Sequence, residues 1–361
     1  MMLKKTVVAA ALAAAGTCAF AGSVELYGTV DAAVMINKAK DTSATVSMED
    51  GIAGGSVWGL TGSEDLGNGY SVNFTLENGF TTDNGENGEE GLQFGKQSTL
   101  GISGGFGEIA FGRMGGLSTY EGSYSIWDAS PFGTDYAQAG LGNFGVLSGT
   151  ILNNAVIYVT PEFNGLTGYV QYGNGDDDSD AKWSKNSHYY GLGMTYEAGA
   201  FNAAVIYERQ DNRADRAEAE ASDIFSVSAA YDFETVKPFI GYQYGHRMHT
   251  MGEDVFTVDG NGFNQHMFTV GAEVPMAGGT AKVAANYAFG KVKGEVGDEL
   301  ALKDDKFNKL SFGAAYEYPL SKRTFVYGWG AWQKGGKALK TEEIRSEFES
   351  WSAGFGLHHN F

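Results

Sequence analysis

The stretch 351-WSAGFGLHHNF-361 decides the fold, because apolar residues alternate with small or polar ones up to the last residue. Trp351, Phe355, Leu357 and Phe361 fall on one face, and serines, glycines and His358 fall on the other. This period of two is typical of a β-strand. Terminal residues that nothing ties down are usually poorly ordered. The alternation therefore predicts that Phe361 lies in a sheet.

The first residues have the layout of a secretory signal. Lys4 and Lys5 precede an alanine-rich apolar stretch, and 19-AFA-21 has the small-x-small pattern of a cleavage site. We therefore expect residues 1–21 to be a signal peptide and residues 22–361 to form the exported barrel. The single cysteine, Cys18, leaves with the signal, so no disulfide is expected in the exported chain.

Composition excludes some function classes and favours others. The formal net charge is −19, and loss of the two signal lysines would lower it to −21. A chain this acidic is not expected to bind nucleic acid. Glycine accounts for 53 of 361 residues, while aromatic residues reach 13%. Disordered glycine-rich segments lack aromatics, so this combination favours closely packed, twisted strands.

Strand-like alternation recurs along the chain in about sixteen segments of roughly ten residues, the length that a tilted strand needs to cross a bilayer. Examples are 70-YSVNFTLE-77, 223-DIFSVSAAYDF-233 and 280-TAKVAANYAFG-290. Short turns alternate with longer polar loops, which is typical of outer-membrane barrels. In lipid every backbone group needs a partner, so the last strand must pair with the first. The pattern predicts an all-β, 16-stranded antiparallel transmembrane β-barrel in the cell outer membrane.

Six motifs, in order, resemble the Gram-negative trimeric porins of the betaproteobacterial type. They are SVELYGTVDAA, GLTGSEDLGNGYSVNFTLE, KQSTLGISGGFGEIAFGR, NNAVIYVTPEFNGLTGYVQY, AAYEYPLSKRTFVYG and GLHHNF. The resemblance implies a homotrimer that lets small hydrophilic solutes diffuse passively, without a cofactor or a metal. Contacts with outer-membrane lipid are expected as well, and the acid run 176-DDDSD-180 could bridge lipopolysaccharide phosphates through weakly bound divalent cations. The barrel assembly machinery is expected to recognise the closing strand through Phe361, with Leu357 and Phe355.

The same resemblance implies that the long third loop, from Met114 to about Gly149, folds into the barrel and narrows it. Within it, 130-SPFGTD-135 is similar to the family's loop tip, so Asp135 is the first candidate for the acidic side of the constriction. Glu121 and Asp128 are weaker candidates. The loop also holds five aromatic residues, Tyr120, Tyr124, Trp127, Phe132 and Tyr136. They could form a sliding surface for sugars, but anchoring of the loop to the wall is the favoured interpretation.

The wall opposite this loop departs from the family pattern. The positions that are basic in many relatives correspond here to Thr29, Val57, Arg113 and residues 151–153, and Arg113 alone keeps a cation. Lys96 is a further candidate. Strict alternation puts Arg113 on the face of Ile109 and Phe111, so its role in the pore requires the strand end to bend. With few cations near the constriction, we expect a weak preference for cations.

Other functions were weighed against a general porin. A substrate-specific porin for sugars or dicarboxylates is the alternative within the channel class, and a plugged adhesin or structural barrel lies outside it. An enzyme is not expected: 101-GISGG-105 has the spacing of a nucleophile elbow around Ser103, but it lies in a predicted hairpin without the strand-to-helix turn that this chemistry needs.

Overall fold

A computed structural model describes residues 23–88, 91–119, 122–133, 135–136, 151–175, 183, 186–211, 220–251, 256–258, 260–294, 302 and 304–361. The predicted signal peptide, residues 1–21, lies outside the described residues, as do the two site candidates Tyr120 and Glu121 and the acid run 176-DDDSD-180. The signal and cleavage site therefore stay predictions.

The described chain is almost entirely strand. Its strands are β1 Ser23–Ala39, β2 Thr45–Asp50, β3 Val57–Gly67, β4 Tyr70–Gly79, β5 Gln97–Gly104, β6 Gly107–Gly115, β7 Ile151–Val159, β8 Leu166–Gly173, β9 His188–Ala198, β10 Phe201–Asp211, β11 Ser222–Tyr231, β12 Lys237–Met248, β13 Thr250–Met251, β14 Phe256–Thr257, β15 Phe263–Met276, β16 Gly279–Val292, β17 Lys306–Pro319, β18 Thr324–Lys337 and β19 Glu349–Asn360. One helical turn, Arg345–Phe348, precedes β19. None of the described helical segments has the length or apolar character needed to cross a membrane.

Sixteen of these strands form a closed antiparallel barrel, which confirms the predicted fold. Each strand pairs with its neighbours in sequence, and β19 returns to β1 over eleven residue pairs, from Thr29–Asn360 to Ala39–Ser350. The short β2 pairs with residues Ala32–Asn37 of β1. The preceding part of β1, Ser23–Thr29, pairs with β3. The remaining pair, β13 and β14, forms a separate small hairpin.

The two faces of the barrel follow the alternation in the sequence. On β1, Val24, Leu26 and Val30 are exposed on the outer face, whereas Asp31 and Ala33 are buried on the inner face. Directly opposite residues of paired strands share a face, so this assignment extends around the barrel through the strand registers. A lipid-facing surface needs apolar side chains, and the lumen tolerates polar ones.

Candidate pore constriction

Loop three, residues 116–150 between β6 and β7, runs inside the barrel over its described part. Its apolar side chains are almost fully buried, with at most 5% of their surface exposed: Leu117, Ile126, Trp127, Ala129, Phe132 and Tyr136. They cluster with inward-facing wall residues of β7, β9, β10, β16, β17 and β18. Loop three therefore crosses the lumen along the wall, as expected for a constriction loop.

The near end of loop three is fixed to β9 and β10. The Ser118 backbone N–H donates to Glu208 Oε1 at 3.2 Å, and the Ser118 hydroxyl donates to Glu208 Oε2. Tyr189 donates its hydroxyl to the same carboxylate at 2.7 Å and accepts the Leu117 N–H at 3.0 Å. The charge of Glu208, which is fully buried, is satisfied by these donors.

The far end of loop three is fixed by Tyr136, which is fully buried. Its N–H donates to the Ile52 carbonyl at 2.5 Å, and its hydroxyl donates to Glu317 Oε1 at 3.1 Å. The same oxygen accepts a bond from Lys282 Nζ at 2.6 Å. Burial, and then the negative charge of Glu317, raises the pKa of the Tyr136 phenol. The far end of loop three is thus joined to β16, to β17 and to loop one, which we define as residues 51–56 between β2 and β3.

The aromatic residues of loop three contact the wall. Trp127 is 2% exposed and Phe132 1% exposed. The ring of Tyr136 packs edge-on against Phe132 and Tyr327, with centroids 5.4 and 5.7 Å apart. The half-buried Tyr124 donates its hydroxyl to Glu108 at 2.8 Å. This geometry is that of anchors for Trp127, Phe132 and Tyr136, whose rings are buried, whereas Tyr124 stays partly exposed.

The two described acids of loop three face different surroundings. Asp135 is 7% exposed, lies next to the buried Tyr136 and acts electrostatically on Lys282. Asp128 is half-exposed, and its neighbours Trp127 and Ala129 are both buried against the wall. Residues 125–129 form no strand, so alternation does not fix the direction of Asp128, but it is the more exposed of the two acids. We therefore expect Asp128 to contribute more than Asp135 to the charge of the pore.

Arg113 does not turn into the pore, which corrects the expected bend of its strand. In β6 it pairs with Ser98, whose neighbour Leu100 is exposed on the outer face. Its Nε donates to the Gly95 carbonyl at 2.6 Å, and Nη1 donates to Asn153. The register irregularity between β6 and β7 leaves the alternation of β6 unchanged through Met114. Arg113 thus lies on the outer side of the wall, away from Asp135.

Lys96 lies on the inner side of the wall. Its Cε lies only 2.7 Å from the position that a Cβ would take at Gly79, and Gly79 pairs with the lumen-facing Val57. Its role at the constriction remains a prediction.

The strand registers identify charged side chains on the lumen face that were not singled out from the sequence. Within the described strands, ten carboxylates share this face with four lysines. The carboxylates are Glu25, Asp31, Glu49, Asp65, Glu77, Glu108, Glu197, Glu208, Glu273 and Glu317, and the lysines are Lys237, Lys282, Lys309 and Lys337. Alternation within each strand could have identified them once the inner face was known. The described wall is therefore strongly acidic.

The C-terminal residue completes the closing pair of strands. The Phe361 N–H donates to the Gly28 carbonyl at 3.0 Å, and the Gly28 N–H donates to the Phe361 carbonyl at 3.3 Å. Its ring lies over Gly28, where a Cβ would stand 2.3 Å from Cζ of the ring. Phe355 and Leu357, 66% and 49% exposed, continue the outer face of β19.

No group of three or more potential metal ligands occurs within the described ranges.

Comparison with known protein families gives a match over most of the chain. The sequence model of a family described as Gram-negative porin matches residues 6–337. An outer membrane porin protein of Bordetella pertussis is 30% identical over 408 residues of alignment, which cover 99% of this chain and all of that protein. The major outer membrane protein P.IB of Neisseria meningitidis serogroup A is 28% identical over 366 residues, with the same coverage.

Solved structures share the architecture at lower identity. An anion-selective porin from Comamonas acidovorans has a TM-score of 0.66 at 24% identity and covers 94% of this chain and all of its own. A trimer form of the outer membrane protein OmpT of Vibrio cholerae has a TM-score of 0.63 at 16% identity, covering 95% of this chain and all of its own. At these identities the likeness shows the fold alone.

Proposed function

The chain belongs to the Gram-negative porin family of the outer membrane, and we propose that it forms a water-filled channel that prefers cations. Small hydrophilic solutes and ions would diffuse through it passively, down their gradients. A barrel of sixteen strands is wide enough to leave an aqueous channel, and loop three narrows it. The family and the fold point to a channel rather than to an enzyme.

The observation that supports cation preference is the charge of the lumen face. Ten wall carboxylates of the described strands share that face with four lysines, and one of those lysines, Lys282, is held by Glu317 at 2.6 Å. Asp128, a partly exposed residue of loop three, would add a further carboxylate. Low-dielectric walls lined by one sign of charge raise the local concentration of counter-ions. Rings of acidic side chains select cations in channels by the same means.

The wall positions that are basic in many relatives also support a preference for cations. Thr29 faces the lumen and is uncharged, Val57 pairs with it, and Arg113 lies on the outer side of the wall. A structural relative, the porin from Comamonas acidovorans, carries the opposite selectivity in its name. Selectivity depends on a few side chains that the shared fold does not determine.

The reversal potential of purified protein in a planar bilayer tests this proposal directly. Under a KCl gradient we expect stepwise conductance and a potential of cation-selective sign. An anion-selective sign would refute the preference for cations but not the proposed channel function. Absence of conductance from folded, inserted protein would refute the channel and favour a plugged barrel.

We further propose that the channel is a homotrimer in the membrane. A relative of the same fold has been solved in a trimer form. Mass measurement of the detergent-solubilised protein, corrected for bound detergent, should give three chains per particle. A single chain per particle that still conducts would contradict the trimer.

A further inference from the structure

Glycines occupy three lumen-facing wall positions along the path of loop three. They are Gly193 on β9, Gly241 on β12 and Gly271 on β15, and together they are called the glycine seat below. Glycine in the interior of a strand weakens the sheet because it packs no side chain. Its repeated use at wall positions beneath loop three therefore needs a physical reason. Close approach of another backbone is the usual one.

Loop three lies so close to the seat that a Cβ would not fit. At Gly241 it would stand 2.3 Å from the Cβ of Ala129 and 3.2 Å from the ring of Trp127. At Gly271 it would stand 2.5 Å from Cδ of Pro131. Heavy atoms of carbon in contact prefer separations of about 3.5–4.0 Å. Either the loop or the strand would have to move.

The three positions differ in how easily the loop could adapt. At Gly193 the nearest atom is Cδ1 of Ile126, at 2.6 Å, which is the end of a flexible side chain. The Cβ of Ala129 is fixed to the backbone, and the ring of Pro131 is fixed by its own closure. An added methyl group at Gly241 must therefore displace the backbone of loop three. At Gly271 it also meets the Val283 carbonyl of the wall at 2.9 Å, and at Gly193 a rotamer change can make room.

The displaced segment carries Asp128, the more exposed of the two described acids of loop three. Asp128 lies between Trp127 and Ala129, the two residues that rest on Gly241. On the wall side, Gly241 pairs with Ser228 and Thr269, which are buried parts of the closed sheet. The sheet is held by a continuous ladder, so the loop is the part that yields, and it can yield only toward the lumen.

We propose that Gly241 and Gly271 are specificity-determining residues of the channel: the lack of a side chain at these positions sets how far loop three stands from the wall. That distance sets the width of the pore beside Asp128. This inference rests on the proposed channel function.

Single-channel conductance of Gly241→Ala in KCl tests the proposal. We expect a smaller conductance step than in the unaltered protein. Adding Ala129→Gly on the same chain removes one of the two colliding methyl groups and should restore the step. Ala129→Val enlarges the same contact from the loop side, leaves the strand intact, and should lower the step as well. Gly271→Ala should also lower it.

Two glycine variants are matched controls. In loop three, Gly193→Ala meets only the side-chain ends of Ile126 and Leu117, at 2.6 and 3.1 Å, so its step should change less than that of Gly241→Ala. Gly330 on β18 has no atom within 4 Å of its Cβ position, and Gly330→Ala should conduct as the unaltered protein does. Circular dichroism of each purified variant should show that the sheet is retained.

The outcomes distinguish a failure of the glycine-seat proposal from a failure of the proposed channel function. If folded Gly241→Ala and Ala129→Val conduct like the unaltered protein, the seat does not set the pore width and the proposal is wrong. A lowered step that Ala129→Gly fails to restore would also overturn it, because the loss would then come from elsewhere. If the unaltered protein itself does not conduct, the proposed channel fails.

Discussion

Asp31 and His358 face each other where the first and last strands meet, with Asp31 Oδ2 3.0 Å from His358 Nδ1. Neither side chain is exposed to solvent. The other carboxylate oxygen accepts the Ile52 N–H at 3.0 Å and the Tyr327 hydroxyl at 2.6 Å. One carboxylate thus joins β1, β18, β19 and loop one at the seam that closes the barrel.

We expect Asp31→Ala to destabilise the barrel at this seam. The substitution leaves the Ile52 N–H and the Tyr327 hydroxyl without their acceptor, and each buried unsatisfied group costs about 1–3 kcal/mol. Thermal unfolding in detergent should show a clearly lower midpoint than in the unaltered protein. Asp304→Ala is the control, because its ion pair with Lys291 is largely exposed and should be worth about 0–1 kcal/mol. Equal midpoints for the two variants would contradict the role of Asp31.

Asp128→Asn should lower the cation preference of the channel. Its carboxylate is the half-exposed acid of loop three, so neutralising it removes a negative charge from the pore. The reversal potential under a KCl gradient should move toward zero. Asp135→Asn provides the comparison, since Asp135 is 7% exposed beside Tyr136 and should move the potential less. A larger shift for Asp135→Asn would restore the ranking predicted from sequence.

The two loop-three phenols should make the protein sensitive to alkali. Burial raises the pKa of Tyr124 and of Tyr136, and the nearby charges of Glu108 and Glu317 raise these values further. A phenol whose folded pKa lies above its unfolded value of about 10 contributes stability that is complete below pH 10 and is lost as the pH rises beyond it.

Unfolding midpoints at pH 9 and at higher pH should therefore fall less in Tyr136→Phe than in the unaltered protein. The phenylalanine variant has no phenol to titrate, although it starts from a lower stability at pH 9 because the bond to Glu317 is gone. Tyr124→Phe should show the same smaller fall, because the phenol it removes donates to Glu108. If the unfolding midpoint falls equally with pH in the variant and in the unaltered protein, the raised pKa values of these phenols are contradicted.

Strand number and closure could be predicted from sequence because both follow from local alternation and from the demands of lipid. The terminal stretch already placed Phe361 in the closing strand, and the structure pairs it with Gly28. The same alternation placed Arg113 on the outer face. The expected bend was wrong because the extra residue lies on β7, near Asn154 with its φ of 50°, and not on β6.

The glycine seat could not be predicted, since the sequence contains 53 glycines and most of them need no loop above them. Whether a wall glycine lies under loop three depends on contacts between residues far apart in the chain. Gly241 and Ala129 are one such pair, and no local pattern joins them. The low exposure of Asp135 could not be predicted for the same reason, since it depends on how loop three packs against distant strands.

Phe361→Ala should reduce the amount of barrel inserted in cells more than Phe355→Ala does. Both rings lie on the outer face of β19, and Phe355 is the more exposed, at 66% against 42%. Loss of lipid contact alone would therefore affect Phe355→Ala at least as much. The backbone bonds between Phe361 and Gly28 do not need the ring, so refolding of purified Phe361→Ala in detergent should stay close to that of the unaltered protein.

Quantifying surface-exposed barrel in cells beside refolding yield in detergent distinguishes the explanations for this loss. A loss in cells alone supports recognition of the terminal ring during assembly. A matching loss in detergent would show that the ring acts by packing over Gly28, where it stands too close for any side chain. Gly28→Ala, which denies the ring that position while leaving Phe361 in place, should then reproduce the detergent defect.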